Sequence, residues 1–305
     1  MATELTVPEL TVPELTIPEF KISGAAASAL LAREVPADTP SAQWPAAAFR
    51  TTGAELLELS DSVSAAILGD MGSAVVRFDA DGLSDQEVST LYWNLFTALF
   101  RPVPQYSSGE LIYPVEVKAG AAETSHYSNS SKAGNYHTDG TLLPRLPDVA
   151  FLFGLSAATG GETLLMDVDG LVRQLAQVDP AHVAELCRPV PFDVKDQMAG
   201  VRIKRQPVLT HTAGGYELRY VRMYIEQGYA AEGTPVPPEL RAAMDAFDEV
   251  SRVAAETADC VLLGRGVGLL WDNRRMLHGR RPFQETTSSR RLRRIYGVRR
   301  DGQAG

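Results

Sequence analysis

The chain has 305 residues, 45% of them hydrophobic and 22% charged, a composition ordinary for a globular protein. A formal charge of −9 argues against nucleic acid as a partner, because binding phosphate draws on a basic surface. No apolar run approaches the roughly 18 residues of a membrane span, and no basic-then-apolar leader opens the chain, so no membrane partner and a cytoplasmic location are expected.

Residues 3–20, TELTVPELTVPELTIPEF, repeat a five-residue unit with a proline in each copy. Such frequent prolines forbid a helix, so residues 1–22 are expected to form an extended arm outside a single domain spanning 23–305. SGAAASALLARE predicts a short helix, AELLELSDSVSAAILGD a longer one, and SAVVRFDA a short strand. In LSDQEVSTLYWNLFTALF, Ser84 and Glu87 form a capping box. The helix it opens carries Val88, Leu91, Tyr92, Leu95 and Leu99 on one face.

After Pro102 the character changes to short β-prone runs: LIYPVEV, VAFLFGL, ETLLMDV, YELRYVRMYI, CVLLG, VGLLWDN and RLRRIYGV. Pro237 to Glu256 reads as one inserted helix. Many short strands without regular helix–strand alternation predict a mainly β fold with flanking helices, a jelly-roll or barrel core under a helical N-terminal layer. Cys187 and Cys260 lie among apolar neighbours and are expected to be buried thiols rather than a redox pair.

The chemistry concentrates in YHTDG. His137 and Asp139 are two residues apart, a spacing that on a strand or its edge points both side chains to one face. One metal ion can then take an imidazole nitrogen and a carboxylate oxygen from a single short segment. His278, in LLWDNRRMLHGR, follows a strand-like run and supplies a third ligand. Two histidines and one carboxylate make the facial triad of non-haem Fe(II) oxygenases, with positions left open for cosubstrate and O₂. Zinc also accepts this set, so a His₂Asp zinc hydrolase and a catalytically silent binding protein stand as alternatives. Of the other histidines, His182 sits on an exposed helix, His211 beside a hairpin turn, and His126 in a Ser-rich loop where it is a candidate for the substrate pocket.

With these residues the chain resembles the taurine dioxygenase and clavaminate synthase-like superfamily of Fe(II)/2-oxoglutarate-dependent oxygenases. Four motifs carry the likeness in order: YHTDGTLLPRLPDVAFLFGL, TGGETLLMD, GLLWDNRRMLHGR and RRLRRIYGV. The resemblance implies Fe(II), with 2-oxoglutarate and O₂ as cosubstrates, and a hydroxylation that releases succinate and CO₂. Desaturation or ring closure in specialised biosynthesis is the alternative outcome at the same centre. It also implies that Thr163 and an arginine of the 290–294 cluster hold the distal carboxylate of 2-oxoglutarate.

Alternation puts Arg290, Leu292, Arg294 and Tyr296 on one face and Arg291, Arg293 and Ile295 on the other. Arg290 is assigned to 2-oxoglutarate and Arg294 to the substrate, with Arg291 and Arg293 the set that a one-residue slip would select. Arg222, expected on the same strand face as Leu218, Tyr220 and Tyr224, joins Arg294 as a candidate for an anionic group on the substrate. The resemblance implies an asparagine just before the H-x-D. Here Ala133 stands four residues before His137 and Asn135 is displaced by two, which argues against taurine and leaves Asn135 as a weaker substrate candidate. The Ser-, Gly- and Tyr-rich segment from Tyr106 to Tyr136 is expected to form a lid. A small amino-acid-like or carboxylate-bearing molecule is the expected substrate.

Overall fold

The computed structural model describes residues 16–35, 40–50, 53–116, 133–194, 201–284 and 290–300. Two sheets lie at its centre. The larger runs in the order Glu19–Lys21, Ser73–Arg77, Val267–Asp272, Val149–Ser156, Arg291–Val298 and Arg101–Val103, with Ile112–Glu116 also pairing with Arg291–Val298. The smaller runs Cys260–Val261, Thr163–Asp167, Met276–Arg280, Gly134–His137. Every pairing is antiparallel except the parallel one between Glu19–Lys21 and Ser73–Arg77.

The period of two in the strands decides the layering. Val149, Phe151, Phe153 and Leu155 point to the helices Gly24–Leu31, Ala54–Leu68 and Asp85–Leu99, while Ala150 and Leu152 point the other way. That second face meets Leu165, Val261 and Met276 of the smaller sheet in a separate core, together with Leu269, Trp271, Leu292 and Tyr296. The outer face of the smaller sheet buries Tyr136, Leu164, Met166 and Leu277 against the helices Val168–Val178, Arg222–Ala231 and Pro238–Thr257. VAFLFGL is apolar throughout because both of its faces are covered.

Several expectations meet the structure directly. Ser84 caps the Asp85–Leu99 helix with the reciprocal Glu87 contact, and the inserted helix spans Pro238–Thr257. Others are corrected. Helix and strand are nearly balanced, so the fold is a mixed one of sheets and helices rather than mainly β. YELRYVRMYI is not one strand: the strand Gly215–Leu218 ends there and a helix runs over Arg222–Ala231. From Val221 onward the sequence also satisfies helical spacing, with Val221, Tyr224, Ile225 and Gly228 buried.

The end of the repeat belongs to the fold. Glu19–Lys21 pairs with Ser73–Arg77, Glu19 meets Arg77 at 2.7 Å, and Ile22 is buried. The boundary drawn at residue 22 therefore falls inside the packed structure, while residues 1–15 lie outside the described ones. Cys187 and Cys260 are exposed free thiols, not buried ones. Among the described residues no helix is long and apolar enough to cross a membrane.

Candidate metal centre and its two pockets

His137 ends its strand and pairs in register with His278 on the neighbouring strand, so two imidazoles face each other with ring centroids 4.2 Å apart. Asp139 follows two residues later at the turn that leaves the strand. The ligand atoms of His137, Asp139 and His278 lie within 4.8 Å of one another. The backbone of Asp139 is held from both sides by Asn273. Its Oδ1 accepts from the Asp139 N–H at 3.1 Å and its Nδ2 donates to the Asp139 carbonyl at 3.0 Å. His137 is oriented by its own strand, Nδ1–H donating to the Asn135 carbonyl at 2.8 Å, which leaves Nε2 for a metal.

The three side chains fit a cation. Asp139 Oδ2 is buried without a hydrogen-bond partner among the described residues. Its Oδ1 accepts from Arg294 Nη1 at 2.8 Å and from the Tyr296 hydroxyl at 2.7 Å. Burial works to raise the Asp139 pKa, but Arg294 and the two histidines outweigh it and hold the carboxyl below its usual range. Burial, with His137 alongside, pushes His278 down to about 3. Burial also lowers His137. All three groups are thus in the protonation state that a metal requires.

Two cavities open on the triad. One, of about 50 Å³, reaches His137 and His278 and is walled by Leu152, Thr163, Arg280, Arg290 and Arg294. Thr163 Oγ1 is buried without a partner among the described residues. Arg290 is 5% exposed, sits over the Phe283 ring, and forms no ion pair with a described carboxylate. Burial, together with the like charge of Arg280, pushes Arg290 down to about 9. Gly161 makes room for it: its φ is +78°, and a Cβ there would sit 3.2 Å from the Arg290 stem. A buried, underpaired guanidinium beside an orphaned hydroxyl is a cradle for a carboxylate.

The other cavity, of about 100 Å³, reaches His137 and Asp139 and shares His137 and Arg294 with the first. Arg294, Gln105 and Tyr106 form its polar end, and Leu142, Leu143, Val221 and Met223 line it with apolar surface. Arg294 donates to Gln105 Oε1 at 2.9 Å and to the Tyr106 hydroxyl at 3.3 Å.

The structure therefore gathers His137, Asp139, His278, Thr163, Arg290 and Arg294, and separates the rest. Arg291 and Arg293 point outward to Asp85 and Glu116. Arg222, on a helix rather than the expected strand, has its guanidinium engaged by Glu226, Asp245 and Asp248. Asn135 has an exposed side chain and contributes its carbonyl instead. His126 and residues 117–132 of the expected lid lie outside the described residues. Sequence reasoning gave no role to Gln105, Arg280, Asn273 or Tyr296, and placed Tyr106 only at the start of the expected lid. Only Asn273, in the Asp-Asn before the distal histidine, and Tyr296, on the face shared with Arg294, carried a signal.

A two-histidine, one-carboxylate centre between two sheets, with arginines lining both adjoining cavities, has the make-up of a non-haem metal oxygenase site. The model of the taurine catabolism dioxygenase TauD, TfdA family matches residues 37–296, and the chain belongs to that family. It is accordingly an Fe(II)- and 2-oxoglutarate-dependent oxygenase. Similar solved structures include an asparagine oxygenase with Fe(II), 3-hydroxyasparagine and succinate, at 20% identity and TM-score 0.65 over 92% of this chain and 93% of that one. The non-haem iron oxygenase OrfP with Fe and α-ketoglutaric acid is similar at 22% identity and TM-score 0.66, over 93% and 94%. OrfP also resembles the chain in its complex with Fe, succinate and (3S)-hydroxy-L-Arg, at 18% and 0.64 over 92% and 94%. No curated protein matches by sequence.

Proposed function

We propose that the protein hydroxylates a C–H bond of a small α-amino acid or closely related carboxylate, using Fe(II) held by His137, Asp139 and His278. When bound, the iron with 2-oxoglutarate and O₂ supplies the oxidant for C–H hydroxylation and releases succinate and CO₂. Arg290 and Thr163 receive the distal carboxylate of 2-oxoglutarate, which brings the missing negative charge to the buried guanidinium. Arg294 receives the substrate carboxylate, and Leu142, Leu143, Val221 and Met223 exclude water around the carbon chain. Arg290, just before the strand Arg291–Val298, and Arg294 within it thus receive two different carboxylates beside the metal. The two sheets facing each other across a shared core support a jelly-roll, double-stranded β-helix reading of the scaffold.

The observation that carries this reading is the pairing of the triad with two adjoining arginine-lined cavities, one reaching His278, Thr163 and Arg290 and the other Asp139 and Arg294. A zinc hydrolase has no use for the Arg290–Thr163 cradle. Amino acids as substrates accord with the similar structures, which hold hydroxylated asparagine and hydroxylated arginine. Two exposed free thiols suit a reducing cytoplasm. The test is a panel of L-amino acids and their deaminated analogues, read by stimulated succinate release and by mass spectrometry for a product with one added oxygen. Succinate release that no member of the panel stimulates would overturn the substrate class.

A further inference from the structure

Asp139 carries two carboxylate oxygens in unlike surroundings. Oδ1 accepts two hydrogen bonds, from Arg294 Nη1 at 2.8 Å and from Tyr296 Oη at 2.7 Å. Oδ2 accepts none among the described residues and lies 3.8 Å from His278 Nε2. A carboxylate oxygen has two lone-pair sites, so the pair of donors saturates Oδ1. Arg294 has two further commitments, to Gln105 and Tyr106 in the substrate cavity, whereas the Tyr296 hydroxyl bonds to Asp139 alone among the described residues.

The same tyrosine supports the arginine: the Arg294 guanidinium carbon sits 4.6 Å from the Tyr296 ring centre. Both side chains belong to the strand Arg291–Val298, two residues apart, with Tyr296 buried and the Arg294 side chain 11% exposed. Asn273 fixes the Asp139 backbone from the other side. Backbone and Oδ1 are therefore both held, and one rotamer presents Oδ2 to the imidazoles.

We propose that Tyr296 is a positioning residue for the metal centre, holding Oδ1 of Asp139 so that Oδ2 alone binds the ion, including when Arg294 turns to a substrate carboxylate. The inference rests on the metal and substrate assignments above and deepens them. Arg294 serves two partners, since it pairs with Asp139 and is also the group that a substrate anion recruits. Were Arg294 the sole donor to Oδ1, each substrate would draw the clamp off the carboxylate ligand. The Tyr296 hydroxyl, with no second described partner to serve, retains one donor there throughout. Two donors of unlike mobility make the ligand indifferent to whether the pocket is filled.

The experiment is calorimetric titration of the full chain with Co(II), whose visible d–d bands also report coordination geometry, in wild type, Tyr296→Phe and His278→Ala. Phenylalanine keeps the ring under Arg294 and removes the hydroxyl. The expected result is Co(II) binding roughly 10- to 100-fold weaker in Tyr296→Phe, with altered d–d bands and a metal-free protein that still melts in one cooperative transition. Wild-type affinity and bands in Tyr296→Phe, with binding lost in His278→Ala, would overturn the role of Tyr296 and leave the metal centre standing. Binding that survives His278→Ala unchanged would overturn the centre itself and the inference with it. A crystal structure of the wild-type Co(II) complex tests the same point without a variant: the metal on Oδ2 supports the proposal, and Oδ1 in the coordination sphere refutes it.

Discussion

Replacing Arg290 by methionine isolates the cosubstrate assignment. The guanidinium is 5% exposed, pushed down to about 9 by burial and by Arg280, and faces no described carboxylate. From an ordinary value of 12.5, that displacement corresponds to a few kcal/mol, roughly, of charge-burial cost carried by the ligand-free protein. On the proposed assignment, 2-oxoglutarate would relieve that cost by bringing its distal carboxylate. Methionine keeps the aliphatic stem against Phe283 and removes the charge. Truncating one partner of a buried charge pair costs about 2–5 kcal/mol, which is roughly a 30-fold to several-thousand-fold rise in Kd. The ligand-free variant should be at least as stable as wild type, because a buried cation that faces no described carboxylate is removed.

The assay is anaerobic titration of the Fe(II)-loaded protein with 2-oxoglutarate, following the charge-transfer band of the chelate. Thermal melts of the metal-free proteins run beside it. A variant whose Kd stays within about threefold of wild type, or whose metal-free form melts well below it, refutes the assignment.

Other expectations follow from the same geometry. Asn273→Ala removes three buried hydrogen bonds, two to Asp139 and one to Pro147. It should lower stability by roughly 2–4 kcal/mol in denaturant titration and weaken metal binding together with it. Arg222→Ala should cost about 1–3 kcal/mol of stability through loss of the Glu226, Asp245 and Asp248 contacts, while Kd for 2-oxoglutarate and metal affinity stay unchanged. His278 is pushed down to about 3, so between that value and an unfolded value near 6.5 the unfolded chain binds more protons than the folded one. Stability of the metal-free protein should therefore fall as pH drops through that window, and His278→Phe should flatten the slope in denaturant titrations. Because both histidines are already neutral, metal binding at pH 7 should release almost no protons. Calorimetry in two buffers of different ionisation enthalpy reads this directly.

Site and scaffold were unequally legible in the sequence. The H-x-D pair, the distal histidine and the inward face of RRLRRIYGV follow from period-two geometry, and the structure brings them together. Arg222 was misplaced because YELRYVRMYI satisfies strand and helix spacings alike. The helix is selected by packing against the Pro189–Asp193 strand, where Gly228 lies so close to Pro191 that a Cβ would clash at 2.3 Å. The expected burial of the cysteines failed because apolar neighbours in sequence do not fix the side of an element on which a side chain emerges. Proline spacing marked the arm as non-helical but not the docking of its last unit on the sheet edge. That depends on Arg77 and Val75, more than fifty residues away in the chain. Gln105 and Tyr106 reach Arg294 across a separation of nearly 190 residues, beyond any local pattern.

The most direct measurement is turnover of the Fe(II)-loaded protein with 2-oxoglutarate under ¹⁸O₂, with mass spectrometry of the succinate. One labelled oxygen per succinate is expected from wild type, and no succinate from His278→Ala. Unlabelled succinate, or labelled succinate formed equally well without His278, would contradict the assignment of this triad as the oxygenase centre.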